Sequence, residues 1–314
     1  MFKKILVTGG SGLLGAAFNE IKGEFPDREF VFWSKQDCDL AEFKPAKAAM
    51  EKVRPDAVIH LAAVSGGIGY STKYPATLLR DNVLMNMHVL EAVRVLEVPK
   101  TIMTLSIGMY PSDSPIPISE DSIHQGPPHG SNYSYAFAKR LVEPSIRAYR
   151  AEYDMNIIGL VPNGIYGPNA NYAYEDSVML SALIRRFHEN KDSDEKLTVW
   201  GDGSPLREYT YSEDMARAYM WCLDNYDEEQ ILHVGTTEEH SVKSVAFMVA
   251  EIMGIDRSRI DFDTTKPAGQ LRRSTDNSRF IGLSKFQYTP FRAGLEKSIE
   301  WFLERYPDPT KVRL

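Results

Sequence analysis

Ile5-Leu6-Val7-Thr8 has the character of a short buried strand. It runs straight into Gly9-Gly10-Ser11-Gly12-Leu13-Leu14-Gly15, and a helical run follows. This Gly-x-x-Gly-x-x-Gly turn constrains the fold more than any other stretch. It lets backbone come close to a pyrophosphate, while the following helix points its free N–H groups and positive dipole end at the anion. A strand, a glycine turn and a helix in that order predict a βαβ unit with a dinucleotide site at its crossover. Gly9, Ser11, Gly12, Leu13 and Gly15 are the expected phosphate-side contacts.

The alternation continues. Glu29-Phe30-Val31-Phe32-Trp33, Ala57-Val58-Ile59-His60-Leu61-Ala62-Ala63, Thr101-Ile102-Met103-Thr104-Leu105-Ser106 and Asn156-Ile157-Ile158-Gly159-Leu160-Val161 are continuous apolar runs. Parallel strands covered on both faces read this way. Helical runs separate them, one spanning about 75–96. The pattern predicts an α/β fold with a doubly wound parallel sheet and a smaller C-terminal α/β domain. The expected division is 1–165 with 206–255 for the cofactor domain, and 166–205 with 256–314 for the substrate domain. Ser212 is expected to cap a helix with Glu213 and Asp214 in its first turn, and Ser241 to cap the next. A last helix, about 291–306, should turn Leu295, Ile299 and Phe302 inward.

Composition removes several classes of function. The formal net charge of −7 argues against a nucleic-acid or membrane-surface binder. Cys38 and Cys222 are too few for a disulfide framework and suit a reducing compartment. No apolar run approaches the ~20 residues that span a bilayer. Met1-Phe2-Lys3-Lys4 leads into an apolar stretch too short for a signal sequence, so the cytoplasm is expected. His60 reads as a satisfied buried histidine, with no metal-like cluster beside it.

The second strand ends in Ser34-Lys35. An NAD-preferring site has an acid there to hold the ribose hydroxyls. A hydroxyl and a cation suit a 2′-phosphate instead, so the expected cofactor is NADP(H). Asp39-Leu40 follows where an acid reaches the adenine. Ser106 falls at the C-terminal end of its strand, where ligands bind in an open α/β sheet. Tyr135 and Lys139 lie four residues apart on the next helix, about 40° apart around its axis. A free Tyr has a pKa near ~10, and a cation one turn away is expected to lower it. Ser106 can then donate to a carbonyl oxygen while Tyr135 transfers its proton, with hydride from a nicotinamide.

With these residues in place, the chain resembles the extended short-chain dehydrogenase/reductases that act on nucleotide sugars. Within them it resembles the GDP-L-fucose synthase family along nearly its whole length. The matching segments include Leu6-Val7-Thr8-Gly9-Gly10-Ser11-Gly12-Leu13, Gly126-Pro127-Pro128-His129 and Tyr135 through Lys139. They continue with Tyr166-Gly167-Pro168, Leu197-Thr198-Val199-Trp200-Gly201 and Asp263-Thr264-Thr265-Lys266. The resemblance implies further cofactor contacts at Leu61, Ala62, Ala63 and Pro162. For a GDP-linked 4-keto sugar it implies Asn163, Arg186, Trp200, Arg207 and Lys266. It also implies a homodimer buried through helices near 75–96 and 133–153.

Two departures stand out. The family's Cys, two residues beyond the catalytic Ser, is Gly108, and its His at the start of a later helix is Val178. In the family that pair exchanges protons at C3 and C5 of the sugar. Gly and Val cannot do acid–base work. The expected activity is therefore NADPH-dependent C4-ketoreduction of a GDP-4-keto-6-deoxy sugar, hexose or heptose, for a surface polysaccharide, without epimerisation. A bifunctional epimerase-reductase and a non-catalytic NADP-binding sensor remain the alternatives.

Overall fold

The structure, a computed structural model, describes residues 1–174, 177–266 and 270–314. Strand β1 (Lys4–Thr8) lies inside a parallel sheet. Its Ile5 and Val7 face one side and Leu6 the other, and all three are fully buried, because helices cover both faces. Helix α1 (Leu13–Ile21) leads to β2 (Glu29–Trp33), which pairs with β1 in parallel, Val7 opposite Phe32. Helix α2 (Phe43–Val53) leads to β3 (Ala57–His60), on the other side of β1. The winding reverses at β1, so the crevice beyond β1 and β3 is a topological switch point.

Helices α3 (Ile68–Lys73) and α4 (Pro75–Val95) precede β4 (Lys100–Thr104). Helices α5 (Tyr133–Arg140) and α6 (Val142–Tyr153) precede β5 (Ile157–Pro162). The helix breaks between α5 and α6 because Pro144 has no N–H to continue the ladder. The chain then leaves the sheet through β6 (Ile165–Tyr166), α7 (Met179–Glu189), β7 (Leu197–Trp200), β8 (Leu206–Glu208) and β9 (Thr210–Tyr211). It returns through α8 (Ser212–Asn225) and β10 (Leu232–Val234), completing the order β10-β5-β4-β3-β1-β2. The remainder is β11 (Glu239–Ser241), α9 (Val242–Ile252), β12 (Ile260–Asp263), α10 (Ser278–Ser284) and α11 (Phe291–Arg305).

Three cores result. One face of the sheet packs on α2, α4 and α6 through residues such as Met50, Leu90 and Ile146. The other packs on α1 and α8 through Phe18, Met215 and Tyr219. A third cluster joins α7, α9 and α11 around Phe187, Val249 and Phe302 and includes the expected inward residues Leu295 and Ile299. In this second lobe β7 pairs with β12 in parallel and β8 with β11 antiparallel.

Two expectations change. Residues 242–255 pack in the third core although the sequence groups them with the cofactor domain, and Phe280 of α10 packs against the sheet. An amphipathic helix needs an apolar surface, and its pattern does not say which one. Ser212 is the first residue of α8, and no side chain caps that end; the charges of Glu213 and Asp214 stand there instead. Ser241 does cap α9, accepting from the Ser244 N–H at 3.0 Å.

Candidate active site

A cavity of about 640 Å³ opens at the C-terminal ends of the strands. Gly9, Ser11, Gly12, Leu13 and Gly15 line it after β1, Ser34, Lys35, Asp39 and Leu40 after β2, and Leu61, Ala62 and Ala63 after β3. Ser106 lines it after β4 and Pro162 and Asn163 after β5, with Tyr135 and Lys139 from α5. All three expected catalytic residues and every expected cofactor residue therefore share one wall system.

The glycine turn is sterically committed. Gly9 has φ +72°, and a Cβ on Gly15 would stand 2.4 Å from the Gly9 carbonyl oxygen. No side chain caps α1, so its first N–H groups remain for an anion. The chain thus fits a dinucleotide pyrophosphate. At the end of β2, Ser34 donates through N–H and Oγ–H to Asp37 at 2.8 and 2.7 Å, holding that carboxyl below its usual range. Lys35 is exposed and pairs loosely with Asp39 at 3.8 Å. The Ser34 hydroxyl proton is taken by Asp37, so the accessible Lys35 ammonium is what fits a 2′-phosphate here.

Lys139 is almost wholly buried and donates to the Thr104 carbonyl at 2.8 Å. Burial lowers its ammonium to about 8. Tyr135 moves against expectation. Burial raises its phenol to about 12, and a hydrogen bond from Ser106 offsets that only in part. Desolvation is the larger cause, and the lowering expected from Lys139 is not among the causes. A phenol that stays protonated at neutral pH is suited to giving a proton to an alkoxide. His60 is satisfied as expected, with Thr8 Oγ1 at 2.8 Å and Asn86 Oδ1 at 3.1 Å, and burial depresses it to about 3.

Ser106 accepts from the Gly108 N–H at 3.1 Å. A Cβ on Gly108 would lie 3.3 Å from Ser106 Oγ and 3.4 Å from Asn132 Nδ2, so a side chain at this position would stand against Ser106. Val178 lines the same cavity, 62% exposed, at the N-cap of α7. Two arginines hold the Ser106 turn. Arg140 donates from Nε to the Met109 carbonyl at 2.9 Å and from Nη1 to the Gly126 carbonyl at 2.8 Å. Arg273 donates to the Ile107 carbonyl at 2.6 Å. The sequence reading missed both. Their partners are main-chain carbonyls, distant in sequence, with no side-chain pattern to reveal them.

The expected substrate residues divide. Asn163 lines the cavity, but its side chain is committed inward. It donates to Thr236 O at 2.8 Å and Glu208 Oε2 at 3.2 Å, and accepts from Thr210 Oγ1 at 2.6 Å. Both amide hydrogens are used, so no donor is left for a substrate. Glu208, nearly buried, is pushed up to about 7 by desolvation. Arg186, Trp200, Arg207 and Lys266 do not line the cavity. Arg186 donates to Thr198 O on β7 at 2.7 Å, and Trp200, 57% exposed, ends β7 opposite Asp263. Lys266 lies just beyond, exposed, its N–H bonded to Asp263 O at 3.2 Å. Arg207, on β8, donates to Gln270 O at 2.7 Å. Gln270 also accepts from Arg273, so the second lobe is linked to the Ser106 turn.

A six-stranded parallel sheet, a glycine turn and a Ser–Tyr–Lys set at its switch point define a dinucleotide-dependent enzyme of the short-chain dehydrogenase/reductase type. The chain belongs to the NAD dependent epimerase/dehydratase family, whose profile matches residues 5–235. GDP-L-fucose synthase of Dictyostelium discoideum is 35% identical, over 98% of each chain. A GDP-L-fucose synthetase from Naegleria fowleri, solved bound to NADP, superposes with a TM-score of 0.93 at 34% identity, covering 99% of this chain and 95% of that one. A GDP-mannoheptose C4 reductase from Campylobacter jejuni shares the fold at TM-score 0.86 and 24% identity, over 96% of this chain and 98% of that one.

Proposed function

We propose that this protein, an NADP-dependent oxidoreductase, reduces C4 of a GDP-linked 4-keto-6-deoxy sugar and leaves C3 and C5 unexchanged. One observation carries the reading: Gly108, where a Cβ would stand 3.3 Å from Ser106 Oγ, and Val178, which lines the cavity, hold no ionisable group. Among the described residues that line the cavity, the carboxylates are Asp39 and Asp81, and both are paired. Asp39 pairs with Lys35 and Asp81 with Arg80. The GDP sugar is inferred from the names of the relatives, and Arg186, Trp200, Arg207 and Lys266 are proposed to hold it. The relatives' names also keep the bifunctional epimerase-reductase as the second reading. A sensor role is disfavoured by the intact Ser106, Tyr135 and Lys139.

The nicotinamide of NADPH supplies the hydride when it is bound. Ser106 donates to the C4 carbonyl oxygen and fixes its position. Tyr135, protonated at neutral pH, gives its proton to that oxygen as charge develops. The Lys139 ammonium stabilises the tyrosinate left behind and holds ribose hydroxyls. No helix among the described residues is long and apolar enough to cross a membrane. The buried free thiols Cys38 and Cys222 suit the cytoplasm that we propose.

The test is to incubate enzyme and NADP⁺ with a GDP-4-keto-6-deoxy sugar in D₂O and follow C3 and C5 by NMR, with NADPH oxidation measured in parallel. NADPH oxidation without enzyme-dependent deuterium uptake is expected. Uptake at the rate of reduction would establish the bifunctional reading, and no oxidation with any keto sugar would establish the sensor.

A further inference from the structure

Among the described residues lining the cavity, the cations are Lys35, Lys139 and Arg313. Lys35 stands where β2 ends and Lys139 beside Tyr135, so each has a place in the reading above. Arg313 has none. It comes from the segment after α11, far in sequence from the glycine turn. That segment is pinned to the chain at Asn171 and Tyr172. Val312 is buried in the third core, Asn171 and Arg313 form a parallel bridge, and the Tyr172 N–H donates to the Arg313 carbonyl at 2.7 Å. A turn at Pro309–Lys311, with Asp308 accepting from the Thr310 N–H at 3.1 Å and from its hydroxyl at 2.7 Å, sets the approach.

We infer that Arg313 binds the pyrophosphate of the dinucleotide, closing over it from the side opposite the glycine turn. Three observations meet here. Leu13, the residue after the turn's middle glycine, packs against the same core that anchors Val312 and Ala170, so turn and strap face one part of the cavity. The turn supplies backbone N–H groups and the Ser11 hydroxyl but no charge, and no side chain caps α1. The Arg313 guanidinium is exposed, and no carboxylate among the described residues pairs with it. A dianion faced only by uncharged donors gains from one planar cation that bonds both phosphates in a fork. The strap fixes the Arg313 backbone in advance, which limits the ordering entropy to the side chain.

The inference rests on the cofactor and not on the sugar, so it is tested without any sugar. Wild type, Arg313→Ala and Arg313→Lys are titrated calorimetrically with NADPH, with 2′-phospho-ADP-ribose and with 2′-AMP, which has no pyrophosphate. Arg313→Ala should weaken NADPH and 2′-phospho-ADP-ribose by roughly tenfold, the scale of one charge-assisted hydrogen bond at an accessible site. It should leave 2′-AMP unchanged. Arg313→Lys should recover part of the loss, because a point charge replaces the fork. Unchanged NADPH affinity in Arg313→Ala would overturn the inference. Equal weakening of 2′-AMP would overturn it too, by showing that the residue supports the fold or the 2′-phosphate. Failure of wild type to bind NADPH would instead refute the cofactor reading.

Discussion

Lys139 is expected to make cofactor binding a proton-linked event. Its ammonium is almost wholly buried, is depressed to about 8 and has a carbonyl, not a carboxylate, as its partner. At pH 8 about half of the cofactor-free protein carries this charge. A bound dinucleotide adds net negative charge and ribose acceptors, both favouring the ammonium. If binding restores a pKa near the ordinary ~10.4, about half a proton enters per site at pH 8, about 0.1 at pH 7 and about 0.9 at pH 9. The sign follows: NADPH affinity is nearly flat below pH 7, then falls as pH rises through 8, approaching tenfold or ~1.4 kcal/mol per unit. The phosphates, with second pKa values near ~6, are ionised throughout and add no slope there. Calorimetry at pH 8 in two buffers of different ionisation enthalpy measures the uptake directly. Lys139→Met should abolish it while residual binding persists through the 2′-phosphate. Identical observed enthalpies in the two buffers with wild type would refute the reasoning, showing that Lys139 keeps one protonation state.

Two other outcomes are expected. Tyr135→Phe should bind NADPH normally and lose about 10²–10⁴ in turnover, the range for a missing general acid; near-normal turnover by NADPH oxidation would remove Tyr135 from the mechanism. The protein should be a homodimer, because Tyr133, Phe137 and Leu141 form an exposed apolar stripe at four-residue spacing; light scattering at micromolar concentration should give twice the chain mass, and a monomeric mass would count against that face.

Much of this was legible in the sequence because it is locally encoded. The glycine turn announces itself by spacing, and the strands read as continuous apolar runs since both faces are covered. Ser106, Tyr135 and Lys139 were recoverable because strand end and helix spacing predict their convergence. What was not legible depends on tertiary burial. The rise of the Tyr135 phenol follows from desolvation, which four-residue spacing to a lysine does not encode. The inward commitment of Asn163 depends on Glu208, Thr210 and Thr236, brought together only by folding. Arg273 reaches the Ile107 carbonyl across 166 positions of sequence, and a bond to main chain leaves no mark on its partner's identity.

The same bonds bear on how one half of a two-part chemistry can go while the other stays. A glycine at position 108 loosens the Ser106 turn, since Gly gives up more conformational freedom on folding than any residue with a side chain. Hydride transfer tolerates little misplacement, because reacting atoms must be held near contact distance. The turn is nevertheless held at both neighbours of Gly108, by Arg273 on the Ile107 carbonyl and Arg140 on the Met109 carbonyl. Arg140 follows Lys139 directly on α5, so the helix that carries Tyr135 also positions the serine's turn. Bonds from a charged donor contribute about 1.5–3 kcal/mol each, more than the ~0.5–1 kcal/mol a glycine costs. Placement of Ser106 therefore does not depend on any side chain at 108. On the reading proposed here, a group that served proton exchange alone is absent from that position, and the geometry for reduction is held by Arg140 and Arg273, which are not among the cavity's lining residues.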